Sequence, residues 1–314
     1  MLAISTGRVI THPKRGVLPI FIKRYIDRNK VIVKNFIENG VSQVAKNDKI
    51  SFYIIYIAVI YILAMLLLSY LIDIRNIFGL SDWLYIEGFD PPLFWLQIFK
   101  EASLTEYLQW FLIGSSAILA ALYGGMKLKL TTKFPWTWIL LVIGLALMFL
   151  EDTINLRHQA SNIIGYYYFG LDVTTMAWRT SALRSYIEII IFAALGSIMV
   201  MALIFILKDR SNGLVGKKIL FAGYFFYGVA AICSATRNIG NWYAVIGEKI
   251  LNFLTRGVEL SWSGESIMFH RDPLGFWFMD LVVEESIELL GAAFILAAIV
   301  AFITHTRRSA NIYP

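Results

Sequence analysis

The sequence predicts an all-α protein, a polytopic transmembrane helical bundle of about six spans, and three observations carry that prediction. Of its 314 residues, 58% are hydrophobic and 16% charged, whereas a soluble domain is about 45–50% apolar and about 25% charged. The apolar residues gather in runs of roughly 20, the length needed to cross a hydrocarbon core about 30 Å thick. The alternating segments of about ten residues that build a membrane β-barrel do not occur.

Residues 1–50 are the one polar segment, with ten Lys/Arg against three acids. From Leu18 to Val44 apolar residues recur at helical spacing, among them Ile22, Tyr25, Ile26, Val33, Phe36, Ile37 and Val41. That pattern predicts an amphipathic arm on the cytoplasmic headgroups, with Lys14, Arg15, Lys23, Arg24, Arg28, Lys30 and Lys34 turned to anionic lipid. A plain basic topogenic tail accounts for the same residues. The plan is then an arm (1–50), a membrane domain (51–304) and a cytoplasmic tail (305–314).

Spans are predicted near 52–72, 105–123, 136–151, 186–207, 219–236 and 276–303. Gly124-Gly125 is read as ending the second, and Pro135 suits the first turn of the third. Stretches 73–103, 152–184 and 237–275 read as loops. Trp83, Tyr85, Trp95 and Tyr166 to Tyr168 supply interfacial anchors. The first and last of these loops are long enough to hide a re-entrant helix.

Charge sets the topology. The segments before span one, between two and three, between four and five, and after six hold nineteen of the 28 Lys/Arg. The three alternate loops hold nine, although they are longer than the two basic turns. The positive-inside rule therefore puts both termini in the cytoplasm. The first apolar run begins near Phe52, which predicts no cleaved leader. Orientation and anionic lipid account for the net charge of +6 without nucleic acid as a partner. Other membrane subunits or a second copy of the chain are the expected protein partners.

Composition also excludes chemistry. A single cysteine, Cys233, forms no internal disulfide and supports no thiolate-ligated iron–sulfur or zinc site. Four histidines (His12, His158, His270, His305) restrict any divalent-metal site to a carboxylate-rich one. No internal repeat is visible. His-Glu-x-x-His, the Glu-x-x-His pairs of ferritin-like sites, Walker A, Gly-x-Gly-x-x-Gly and Gly-x-Ser-x-Gly are all missing.

An ionisable side chain at mid-membrane costs about 2.5–3.5 kcal/mol on insertion scales, so each is a functional candidate. The richest cluster is in span six: Asp280, Glu284, Glu285 and Glu288. On a regular helix Asp280, Glu284 and Glu288 share a stripe. The second is Glu151, Asp152, Arg157 and His158 at the end of span three. The third is Arg237 at the end of span five, where a planar guanidinium can bridge two carboxylates. Glu106 and Glu188 lie at the same depth, and His270 just outside span six. Three spans run outward and three inward, yet every cluster falls on the outer side. Glu151, Asp152, Glu284, Glu285 and Glu288 with Arg237 alone leave a surplus that implies protonation, a bound cation, or further pairing from Arg157 or Arg184. A metal would be held by Glu285, Glu288 and His158. A salt-bridge network that only fixes helix packing accounts for the same residues.

Glu284-Glu285-x-x-Glu288-x-x-Gly291-Ala292 in the last span resembles a motif of a family of bacterial multi-pass inner-membrane proteins of unassigned activity. In that family a middle span ends in an acidic pair followed by His-Glu. Glu151-Asp152 and His158-Gln159 stand at those places here, with Gln159 departing from the pattern. Its penultimate span carries Gly-Ala and then a glutamate. Here Gly228-Val229 is followed by Cys233. The resemblance covers roughly residues 136–304 and implies a shared polar site, not an activity. Two function classes follow: a non-enzymatic ion- or proton-handling protein or accessory subunit of a complex, and a membrane enzyme with a carboxylate–histidine centre acting on a lipid or quinone-like substrate.

Overall fold

A computed structural model describes residues 49–87, 93–131, 134–175, 182–237, 239–256 and 273–312. The basic arm with Lys14, Arg15, Lys23, Arg24, Arg28, Lys30 and Lys34 lies outside the described residues, as does His270. All regular structure among the described residues is helical. Six helical stretches are long and apolar enough to cross a membrane: Lys49–Ile74, Phe94–Lys129, Trp136–Ile154, Leu183–Lys208, Leu214–Thr236 and Leu274–Thr306.

In chain order, α1 (Lys49–Ser69) ends in a π-helical turn, Tyr70–Ile74. Two short helices follow, α2 (Leu80–Ile86) and α3 (Phe94–Phe99), inside the stretch read as a loop. The long helices α4 (Leu104–Thr131) and α5 (Trp136–Ile154) come next, then α6 (Leu156–Phe169), α7 (Ala182–Lys208) and α8 (Leu214–Thr236). Helix α9 (Trp242–Thr255) lies within the predicted loop 237–275. Helix α10 runs as Leu274–Trp277, a π-helical stretch Phe278–Glu284, and Glu285–Ile312.

The second span does not stop at Gly124-Gly125. Helix α4 continues through both glycines, and a Cβ at Gly124 would sit 3.1 Å from the Trp138 Cβ. That glycine serves the close packing of α4 on α5 rather than a turn.

Helix α10 is the central element. Ala292, Ala293, Ala297 and Ala298 on it are fully buried, and α4 and α8 pack against it. The crossing with α8 is close because both helices carry glycine there. A Cβ on Gly291 would fall 2.7 Å from the Tyr227 ring, and one on Gly223 would fall 3.0 Å from the Ile295 nitrogen. Small residues let transmembrane helices approach and gain dispersion contacts where lipid supplies no hydrophobic drive. Toward the C-terminal end of α10, Tyr123, Trp138 and Phe302 form an aromatic cluster, with ring centroids 4.3 Å apart for Tyr123 and Trp138. Helix α1 is the outlying span, holding the bundle through Ile55, Ala58 and Ile62.

Two acids cap helices. Asp73, in the π turn of α1, accepts the Phe94 backbone N–H at 2.7 Å on Oδ1 and the Trp95 N–H at 3.0 Å on Oδ2. These are orphan donors at the start of α3. Glu106 reaches back from the first turn of α4 to the Ala102 N–H. The Ser103 hydroxyl oxygen lies 3.5 Å from the Glu106 nitrogen, the other half of a capping-box pattern.

Candidate functional site

Helices α5 and α6 meet at Asn155, whose backbone is left-handed at φ 50°. Asparagine is one of the few side chains that tolerates that conformation. The break brings Glu151 to the open N-terminus of α6. Its Oε2 accepts the Arg157 backbone N–H at 2.7 Å, and its Oε1 lies 3.4 Å from Arg157 Nε. Unpaired N–H groups at a helix start favour an anion there.

Glu188, in the second turn of α7, gathers the next set of partners. Arg184 Nε donates to Oε1 at 2.7 Å, His158 Nδ1 lies 2.8 Å from it, and the Ser161 hydroxyl donates at 3.2 Å. Arg157 Nε is 3.9 Å from Oε2. His158 Nε2 is 3.3 Å from an Arg157 guanidinium nitrogen. With Nδ1–H donating to Glu188, Nε2 is free to accept from Arg157, while an Arg184 guanidinium nitrogen also stands 2.9 Å from Nδ1. Arg157 also donates to the Ser234 hydroxyl at 3.1 Å and lies over the Phe192 ring, 4.2 Å from its centroid. Arg157 and Arg184, the sequence's reserve partners for the span-six acids, are thus engaged with Glu151 and Glu188.

At the end of α8, Arg237 donates to Asp280 Oδ1. From α9, the Tyr243 hydroxyl donates to Glu284 Oε2 at 2.5 Å. Burial, with the nearby Glu284 and Asp280 charges, pushes the Tyr243 phenol far above its ordinary range and keeps it a donor.

Three acids remain, Asp152, Glu285 and Glu288. They line a cavity of about 450 Å³ bounded by α4, α5, α7, α8 and α10. Among the described residues none of the three is in an ion pair. Asp152 and Glu288 meet the carboxamide of Gln109 instead. Its Nε2 lies 3.0 Å from Asp152 Oδ2, 2.8 Å from Glu288 Oε2 and 3.1 Å from the Tyr227 hydroxyl, which donates to Asp152 at 3.1 Å. Gln109 is 1% exposed. Its Oε1 and the Glu285 Oε2 are buried with no hydrogen-bond partner among the described residues. Around the whole cavity stand eight acids and two arginines.

No family model, curated protein or solved structure matches this chain.

Of the residues singled out from the sequence, Glu151, Asp152, Arg237, Asp280, Glu284, Glu285 and Glu288 line the same cavity. His158 is not among its lining residues; it is held by Glu188 and Arg157. The metal set Glu285, Glu288 and His158 is therefore not assembled. No group of three or more His, Cys, Asp or Glu side chains among the described residues is arranged to hold a metal ion. The residues that sequence reading missed are Gln109 and Tyr227. The signal for Gln109 was present: an amide three residues after Glu106, on the same face of an apolar helix.

Proposed function

We propose that this integral membrane protein handles protons or a small cation at the carboxylate cavity. The observation that carries the reading is the acid surplus: eight acids against two arginines, with both arginines already committed to Glu151, Glu188 and Asp280. Several like charges in a low-dielectric site cannot all stay ionised without a compensating cation, so protons or a cation supply the balance. Asp152, Glu285 and Glu288 are the groups that exchange it. Gln109 and Tyr227 orient them.

The cavity lies toward the outer leaflet in the topology read from Lys/Arg distribution, with both termini in the cytoplasm of a bacterial inner membrane. The basic arm docks on anionic lipid in the same arrangement. An accessory role in a larger complex is compatible with this chemistry. An enzyme built on a carboxylate–histidine centre is less well supported, since His158 does not line the cavity.

Infrared difference spectra of the protein in lipid nanodiscs test the reading. The expected result is a protonated-carboxyl band at neutral pH, or its disappearance on adding a cation that binds, with loss of intensity in Glu285→Gln and Glu288→Gln. Fully ionised carboxylates in the wild type, with no cation bound, would overturn it.

A further inference from the structure

The acids occupy only one end of the cavity. The remainder runs between α7 and α8 along Phe192, Gly196, Met199, Tyr224, Gly228 and Ala231, and it reaches Val200 and Ile232. Ile232 is 66% and Val200 51% exposed, so the mouth opens on an apolar outer face of the bundle. Gly196 and Gly228 keep the crevice open: a Cβ built on either meets nothing within 4 Å. Elsewhere in the protein glycines allow close helix contact, as at Gly223 and Gly291. Here they leave a gap.

A bare proton or inorganic ion can satisfy buried oxygen acceptors, but it makes no use of an apolar crevice. Gln109 Oε1 and Glu285 Oε2 are buried and without donors, and Glu288 sits one helical turn from Glu285. A buried acceptor left unsatisfied is costly, so the site is shaped for a cation or a donor, and the crevice beside it for an apolar body attached to that group. A primary ammonium carries three N–H donors and one positive charge, and no acceptor that would meet the carboxylates badly. A cavity of this size suits a small ligand with a few polar anchors and an apolar body.

We propose that the cation taken at this site is the ammonium of a single-chain alkyl amine, which enters from the bilayer between α7 and α8. The ammonium sits among Glu285, Glu288 and Gln109 Oε1, and the chain lies along the crevice past Gly196 and Gly228. The proposal rests on the proton- or cation-handling reading above and names the cation.

The test uses the full chain in phosphatidylcholine nanodiscs, titrated with dodecylammonium, methylammonium and laurate, with the carboxyl infrared bands and saturable binding as readouts. Dodecylammonium is expected to bind one per chain and to shift the carboxyl bands. Methylammonium should be at least about tenfold weaker, because the bilayer concentrates a chain-bearing amine at the mouth. Laurate should not compete. Gly196→Leu and Gly228→Leu should weaken dodecylammonium by at least about tenfold while the pH-dependent carboxyl band persists. Glu288→Gln should weaken amine binding in the same way. Including phosphatidylethanolamine distinguishes the source: displacement of dodecylammonium assigns an aminolipid, and no displacement assigns a free amine.

Equal affinity for methylammonium and dodecylammonium would overturn the proposal, as would a native carboxyl band with no saturable amine binding. In both cases the broader reading stands. A wild type with no protonated carboxyl and no bound cation removes both.

Discussion

Glu151 holds Arg157 twice, by its backbone N–H at 2.7 Å and by its guanidinium Nε at 3.4 Å, across a helix break at Asn155. The two side chains are 13% and 7% exposed. Replacing Glu151 by Ala removes the anion from the start of α6 and leaves a buried guanidinium short of a partner. The expected loss is about 1–3 kcal/mol, and Glu151→Gln should lose less because its carbonyl still accepts the N–H. Thermal midpoints of the two variants in detergent check the order; equal midpoints would contradict the capping role.

The Arg237–Asp280 pair joins α8 to α10 with side chains 20% and 12% exposed. Breaking one side of a buried pair costs about 3–5 kcal/mol, whereas replacing both partners with apolar groups is often neutral. Arg237→Met and Asp280→Leu should each destabilise, and the double variant should recover most of the loss. A double-mutant cycle on denaturation midpoints measures this; additive losses would show that the pair does not couple.

Gly247 and Gly275 bring α9 against the start of α10. A Cβ on Gly247 would lie 1.8 Å from the Gly275 carbonyl oxygen, and a backbone atom cannot swing aside. Gly247→Ala should cost at least about 1–3 kcal/mol, the usual range for overpacking. Gly125→Ala is the contrast, since a Cβ there meets nothing within 4 Å. Within helix α4 it should stabilise by about 0.5–1 kcal/mol. Thermal unfolding of both variants gives the comparison.

Asp73 supplies the anion for the start of α3 from 21 residues away. Asp73→Ala should destabilise by about 0.5–2 kcal/mol, the range for a lost N-cap. Protease sensitivity within residues 93–103 should rise with it. Unchanged cleavage there would show that α3 stands without this cap.

A topology reporter fused after Arg308, or inserted at Lys129, should be active only on the cytoplasmic side. Activity of either on the outer side would remove the proposed orientation and, with it, the outer-leaflet position of the cavity.

The spans were legible because hydropathy over about 20 residues is a bulk property that no single contact alters. The breaks were not. Asn155 is a residue type that visits the left-handed region, but nothing local says that it does so here rather than continuing α5. Helix α3 depends on Asp73, and that contact spans a sequence separation no local pattern reveals. At the site, the acids could be named because charge inside a span is costly wherever it falls. Their partners could not: Arg157 and Arg237 were both readable as bridges to the last span, and only the packing of α6 on α7 turns Arg157 toward Glu188. Ser103-x-x-Glu106 is the reverse case, a capping signal readable in advance whose carboxylate reaches Ala102.

The π-helical stretch Phe278–Glu284 in α10 spaces its hydrogen bonds wider than an α-helix does, so it takes in extra chain for the same turn. Asp280, Glu284 and Glu288 on this stretch and just beyond it meet three different neighbours. Asp280 meets Arg237 of α8, Glu284 meets Tyr243 at the start of α9, and Glu288 meets Gln109 of α4. One helix thus ties three neighbours together through its acids, so a change on α10 is felt at α4, at the end of α8 and at α9 together.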